Sequence, residues 1–169
     1  IDHTDSDDSL FAFIDTLAKT RCQTFIIHAR KAWLEGLNPK QNRHVPPLRY
    51  DSVYRLKKTF PSLNIILNGG IQTYDDIATH LSQVDGVMIG REAYQHPYLL
   101  SEIDQRFFQD TAPIISREQV IENLRPYIEQ QKKNGLAPKS ITRHILGLQH
   151  GMPGARAWRR RLATGHDFL

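Results

Sequence analysis

Asn64-Ile65-Ile66-Leu67-Asn68-Gly69-Gly70-Ile71 reads as a short strand that runs straight into a pair of glycines. The apolar run is too short for a helix, and its β-branched isoleucines suit a strand packed inside a sheet. Two similar runs flank it. Thr24-Phe25-Ile26-Ile27-His28-Ala29 lies upstream, a continuous run of the kind found in strands buried on both faces, and Gly86-Val87-Met88-Ile89 reads as a strand downstream.

Helical patterns separate the strands. Ser9 to Lys19 carries Leu10, Phe11, Phe13, Ile14 and Leu17 at helical spacing, with Ser6, Asp7, Asp8 or Ser9 available as N-cap. Tyr50 to Thr59 puts Val53 and Leu56 on one side with Phe60, Thr73 to Leu81 is a second connecting helix, and His96 to Gln109 a further helical stretch. Strand and helix alternating through short links imply parallel strands joined by right-handed crossovers. Three such strands cannot cover both faces of their own sheet, so the expected fold is α/β, the last strands of a TIM (β/α)8 barrel. A doubly wound open sheet is the competing architecture.

The pattern changes between Asp110 and Ser116, where Thr111-Ala112-Pro113 interrupts it and strand-like runs cease. Residues 1–112 are therefore expected to be the C-terminal part of the barrel, and 113–169 a small, truncated all-α domain. In the latter, Ser116 with Gln119 can cap a helix through Val120, Leu124 and Ile128, which Pro126 should bend or interrupt. Gly135 and Pro138 mark a turn, Ser140 to Gln149 a second helix, Gly151 to Gly154 a tight turn and Ala155 to Ala163 a third helix.

The composition, 40% hydrophobic and 24% charged, is that of a folded chain. No run approaches the roughly 20 apolar residues of a membrane span, and the start shows no signal pattern, so a cytoplasmic protein with no membrane partner is expected. One cysteine, Cys22, excludes an internal disulfide, and the eight histidines lack paired ligand spacing, so no metal is expected. The net charge of +4 is uneven: the first ten residues hold four aspartates, whereas Lys139 to Arg161 collects Lys139, Arg143, Arg156, Arg159, Arg160 and Arg161 with no acid among them. Such an end suits a polyanion.

Chemistry is expected where the strands end. Asn68-Gly69-Gly70 and Gly90-Arg91 follow two successive strands, where glycine backbone can approach a phosphate and Arg91 can pair with it bidentately. The competing reading makes the glycines a tight turn and Arg91 a surface residue. His28 ends the preceding strand and would point into a barrel mouth, or serve as an ordinary structural histidine. Lys40 and Arg43 lie on the long loop from Leu34 to Leu48 as candidate phosphate or base contacts, or as solvated charges. Arg156, Arg159 and Arg160 share one helix face, which reads either as RNA backbone contact or as a solvated flank.

The strings FIIHARKAWLEGLNPKQNR, PPLRYDSVYRLK, LNGGI, DGVMIGREAY, ITRHILGL and GMPGARAWRR together resemble the A subfamily of bacterial tRNA-dihydrouridine synthases, in order over nearly the whole chain. The resemblance implies an FMN enzyme that takes hydride from NADPH and passes it to C6 of a D-loop uridine, U20 or U20a, while a cysteine protonates C5. It implies flavin contact by His28, a phosphate cradle of Asn68, Gly69, Gly70, Gly90 and Arg91, and tRNA contacts by Lys40, Arg43, Arg156 and Arg159. Base flipping would bring the uridine to the flavin, and the parent enzyme is expected to be monomeric. The family's catalytic cysteine and a flavin-contacting lysine have no counterpart in this sequence, Cys22 does not match the catalytic position, and the tail from Arg161 to Leu169 stops short of the usual final helix. The chain is thus expected to be a C-terminal fragment, inactive alone and poorly folded because of exposed strand edges. The alternatives are a non-catalytic tRNA-binding fragment, or another flavin or phosphate-binding barrel enzyme acting on a small molecule.

Overall fold

The computed structural model describes residues 7–33 and 36–164. The candidate cap Ser6, the loop residues Leu34 and Glu35, and the tail 165–169 lie outside the described residues. The chain forms two compact units, the first ending at Gly90 and the second beginning at Arg91.

In the first unit, α1 (Asp8–Ala18) leads into β1 (Thr24–His28), then α2 (Tyr50–Thr59), β2 (Asn64–Asn68), α3 (Tyr74–Leu81) and β3 (Gly86–Met88). The strands lie in the order β1-β2-β3, and both pairings are parallel. The expected alternation of strand and helix is thus present, each boundary within a residue or two of its predicted place.

One face of the sheet is covered and the other open, as expected of three strands that cannot cover both faces by themselves. In β1, Phe25 and Ile27 are buried, whereas Thr24, Ile26 and His28 are exposed; in β2 the buried residues are Ile65 and Leu67. The covered face lies under helices, with α2 packed on β2 and α3 on β3. Leu56, Ile65 and Leu67 are fully excluded from solvent there. Each such aliphatic side chain contributes on the order of 1.5–3 kcal/mol of transfer free energy. On the opposite face Ile26 keeps 56% of its surface and Met88 43%, because no described element covers it. The free long edge of β1 borders a cavity of about 430 Å³ lined by residues of α1, β1 and α2.

Side-chain bonds fix the ends of these elements. Thr73 and Asp76 form a reciprocal capping box at the start of α3, satisfying amides that the first turn leaves without partners. Asp7 occupies the N-cap position of α1 without a capping bond and instead pairs with Arg49 and Arg55. Lys57 bridges to Asp85 at 2.8 Å while donating to the Pro61 and Leu63 carbonyls. Burial pushes the Asp85 carboxyl up, but the bonds from Lys57 and the Ile65 amide outweigh it and hold it below its ordinary value.

The second unit is made of helices and turns, with no strand among its described residues: α4 (Arg91–Gln95), a 3₁₀ turn (Pro97–Glu102), α5 (Ile103–Phe107), α6 (Arg117–Lys133), α7 (Lys139–Thr142) and α8 (Ala155–Thr164). The single helix expected from His96 to Gln109 is broken. Pro97 drives His96 out of helical geometry, at φ −132° and ψ 61°. The division at Gly90 falls earlier than the change of sequence character near residue 112, because residues 91–107 pack with segments downstream of them. Tyr98, in the 3₁₀ turn, donates to the Ile115 carbonyl at 2.9 Å, and the Arg117 guanidinium lies 3.6 Å above its ring.

Helix α6 carries the expected Ser116–Gln119 capping box, but Pro126 does not interrupt it. Proline deprives only the Glu122 carbonyl of its helical donor, and both residues face solvent. The helix expected from Ser140 to Gln149 shrinks to the single turn α7. Beyond it the chain tightens into i→i+3 bonds, His144 to Ile141, Ile145 to Thr142 and Leu148 to Ile145. Gly147 explains the change: its Cα lies so close to α4 that a Cβ there would sit 1.7 Å from the Gln95 carbonyl oxygen. Helix α8 forms as expected, and its Trp158 indole donates to the Ile145 carbonyl at 3.1 Å.

Gly147→Ala should therefore force the two segments apart and destabilise the second unit by about 1–3 kcal/mol, the usual cost of overpacking. The check is a denaturant titration followed by Trp158 fluorescence, in which an unchanged midpoint would contradict the close approach.

Candidate functional site

Parallel pairing aligns the C-terminal ends of the strands. His28 is the register partner of Asn68, and Asn68 of Met88. Since side chains alternate along a strand, His28, Asn68 and Met88 fall on the sheet's uncovered face with Ile26 and Ile66. The sequence-predicted pair His28 and Asn68 is thus brought together.

Immediately past Asn68 the chain enters the left-handed region twice, at Gly69 (φ 125°) and Gly70 (φ 74°), a conformation costly for any side chain with a Cβ. Space is equally restrictive. A Cβ at Gly70 would lie 2.6 Å from Leu48 Cδ1 and 2.7 Å from Tyr50 Oη, and one at Gly69 3.1 Å from Leu48 Cδ2. Tyr50 Oη donates to the Gly69 carbonyl at 3.0 Å, turning that oxygen toward α2. The amides of Gly70 and Ile71 meet no acceptor among the described residues. Two amides without partners beside a glycine cradle at a strand's C-terminal end suit an anion, and a flavin phosphate fits that donor set.

A ring network supports the cradle from behind. Tyr50 packs on His80 with centroids 4.3 Å apart, and Tyr54 Oη lies 2.6 Å from His80 Nδ1. Burial lowers the His80 pKa despite nearby Asp76, and burial raises both tyrosines. His80 is therefore neutral at neutral pH and shares a hydrogen bond between Nδ1 and the Tyr54 hydroxyl, while Tyr50 keeps the proton it gives to Gly69. Burial also raises Asp76, but bonds from the Gln72 and Thr73 amides prevail and hold it below its ordinary value. Sequence reasoning missed Tyr50, Tyr54 and His80; a helix pattern marks Val53 and Leu56 but carries no sign that a tyrosine hydroxyl reaches a strand end.

Gly90, two residues past β3, has open space where a Cβ would stand. Arg91, the next residue, opens α4 in the second unit and is exposed. The loop carrying Lys40 and Arg43 is held by a fourth missed residue, Arg30. Its guanidinium donates to the His44 carbonyl at 3.1 Å and, more closely, to that of Pro46, while its backbone bridges to Leu48. Asn42 bonds to both the amide and the carbonyl of Trp33 at 2.7 Å, and Asn38 and Gln41 exchange amide bonds at 2.9 Å. This bracing presents Lys40 and Arg43, both exposed, at a 3₁₀ turn spanning Gln41–Arg43. Arg156 and Arg159 are exposed on α8 in the second unit. Each unit thus holds its own share of the expected residues.

The family model described as dihydrouridine synthase matches residues 1–168. Proteins named tRNA-dihydrouridine(20/20a) synthase resemble the chain closely: one from Shewanella oneidensis is 55% identical over 163 residues, one from Haemophilus ducreyi 54%, and one from Synechocystis 49%. Each alignment covers 96% of this chain but 49–50% of the relative, so the chain spans about half the length of these relatives.

The buried neutral His80 makes stability pH-dependent. The unfolded chain protonates it near its ordinary value of 6.5, whereas the folded chain holds it neutral to lower pH, so stability is lost as pH falls below about 6.5. Urea midpoints between pH 7.5 and 5 should decline for the native chain and decline less for His80→Gln; equal declines would contradict the assignment.

Proposed function

The chain belongs to the dihydrouridine synthase family, and from that premise we propose that it forms the FMN-phosphate end and part of the tRNA-binding surface of a tRNA-dihydrouridine synthase. The barrel reading fits the sheet, whose three parallel strands leave an apolar face and one long edge to be covered by further strands. The proposed cofactor contacts are His28, Asn68, Gly69, Gly70, Gly90 and Arg91. The observation that carries the reading is the glycine cradle, with the Gly70 and Ile71 amides lacking described acceptors.

When bound, FMN would accept hydride from NADPH and deliver it to the uridine C5–C6 bond of a tRNA D-loop at U20 or U20a. The residues of this chain do the holding. In the first unit the Gly70 and Ile71 amides would supply neutral donors to the phosphate; Arg91, which opens the second unit, is proposed as a charge-assisted donor from the resemblance alone. His28 and Asn68, partners in register beside the cradle, would contact the flavin. Tyr50 fixes the Gly69 carbonyl, so the loop keeps its amides turned to the anion without reorganising when it arrives. Lys40 and Arg43 on the braced loop, with Arg156 and Arg159 on α8, contact tRNA phosphates. The cysteine that protonates C5 is not supplied by this chain, and Cys22, exposed beside β1, has no role in it. The protein works in the cytoplasm without a resident metal.

A second reading keeps only the RNA contacts, because the cationic residues form a set independent of the cradle. The two separate on one experiment, with the chain joined to the remainder of the Shewanella oneidensis relative. The purified chimera should be yellow and reduce tRNA uridine with NADPH, and replacing Asn68 and Arg91 by alanine should lower FMN affinity at least tenfold. A colourless chimera that still binds tRNA would leave the RNA-binding reading alone standing.

A further inference from the structure

The second unit contains a groove of about 1230 Å³ whose walls combine cations with aromatic rings. Lys139 and Arg143 line it from α7 and the residue following it, and Arg156 and Arg159 from α8. None of these four meets a carboxylate among the described residues. The rings are Tyr94 of α4 and three histidines. Tyr94 keeps 57% of its surface exposed, and its hydroxyl lies 2.9 Å from His144 Nδ1, the two rings standing edge to face. His96 and His150 stack with centroids 3.6 Å apart, and His96 is anchored to Glu92 at its back. Close packing of Gly147 on Gln95 ties these walls together.

We propose that this groove binds an unpaired nucleotide of RNA, its phosphates lying along Lys139, Arg143, Arg156 and Arg159 and its base stacked on the Tyr94 ring. This rests on the tRNA reading above and goes beyond it by naming the nucleotide's conformation and the ring that holds it. One feature argues against a plain anion surface. A row of solvated arginines needs no ring among them, yet here a large ring is held open to the groove by its hydroxyl bond instead of being folded into the core. A base stacks on an aromatic face whatever its identity, and cations track the backbone beside it, the combination found in single-strand grooves. A duplex would offer phosphates but no accessible base face.

The test measures binding of the chain to a tRNA transcript, to an unpaired RNA oligomer and to inorganic polyphosphate across a range of salt. Tyr94→Leu should weaken both RNAs about tenfold, leaving polyphosphate binding and the salt slope unchanged. Tyr94→Phe, which keeps the ring, should bind like the native chain. Arg143→Gln should weaken all three ligands and lower the salt slope for RNA by a little under one. The proposal is overturned if Tyr94→Leu binds RNA normally, since the groove would then be a general polyanion surface, or if Tyr94→Phe loses as much as Tyr94→Leu. Weakening by Lys40→Gln with none from the groove variants would keep the tRNA reading and sink the groove. No salt-sensitive tRNA binding by the native chain would overturn both.

Discussion

Parallel pairing governs what the first unit can do. Strands that run the same way must be joined by crossovers, so every strand-to-helix turn emerges at the same edge of the sheet. The register then decides which residues share that edge. With His28 opposite Asn68 and Asn68 opposite Met88, the last polar side chains of β1 and β2 stand side by side on the uncovered face. A slip of one residue would turn His28 and Asn68 into the helix-covered layer, where Ile27 and Leu67 now lie. The hydrophobic pattern that drives packing thus also fixes the polar pair.

The glycine turn depends on that alignment and on a clasp from one residue. Tyr50 begins α2, so the helix's packing on β2 sets where its ring lies, and the ring sets where the Gly69 carbonyl points. Burial keeps Tyr50 protonated and His80 neutral, so the network contains no charge that would need compensation in the interior. Arg30 performs a parallel task one loop away, holding the Pro46 carbonyl so that Leu48 packs against the glycines. Space around Gly69 and Gly70 is therefore defined twice, by conformation and by neighbours, and the Gly70 and Ile71 amides meet no acceptor among the described residues.

Much of this was legible in the sequence for identifiable reasons. Strands such as Phe25 to Ile27 announce themselves because β-branched and aromatic residues cluster there, and Thr73 with Asp76 and Ser116 with Gln119 carry the spacing of a capping box. What failed depends on residues distant in sequence. Ser140 to Gln149 has a helical pattern, yet Gly147 meets Gln95, more than fifty positions away, and the helix gives way to tight turns. Tyr50 and His80 were invisible for the same reason: a polar residue on a helix acquires a task only when the neighbouring strand is in place.

The distribution of ion pairs separates structural charge from available charge. In the first unit Arg49 and Arg55 share Asp7, and Lys57 is held by Asp85 and two carbonyls. Those cations fix helices to loops and are partly spent in doing so. In the second unit Arg106 pairs with Glu102 and Arg125 with Glu122, again within or beside helices, but the stretch from Lys139 to Arg161 contains no acid to pair with. Lys139, Arg143, Arg156 and Arg159 line one groove. Surface pairs are worth little individually, so providing acids there would cost the fold almost nothing. Their absence leaves a local excess of positive potential beside exposed rings, which is relieved when a chain of phosphates lies along it.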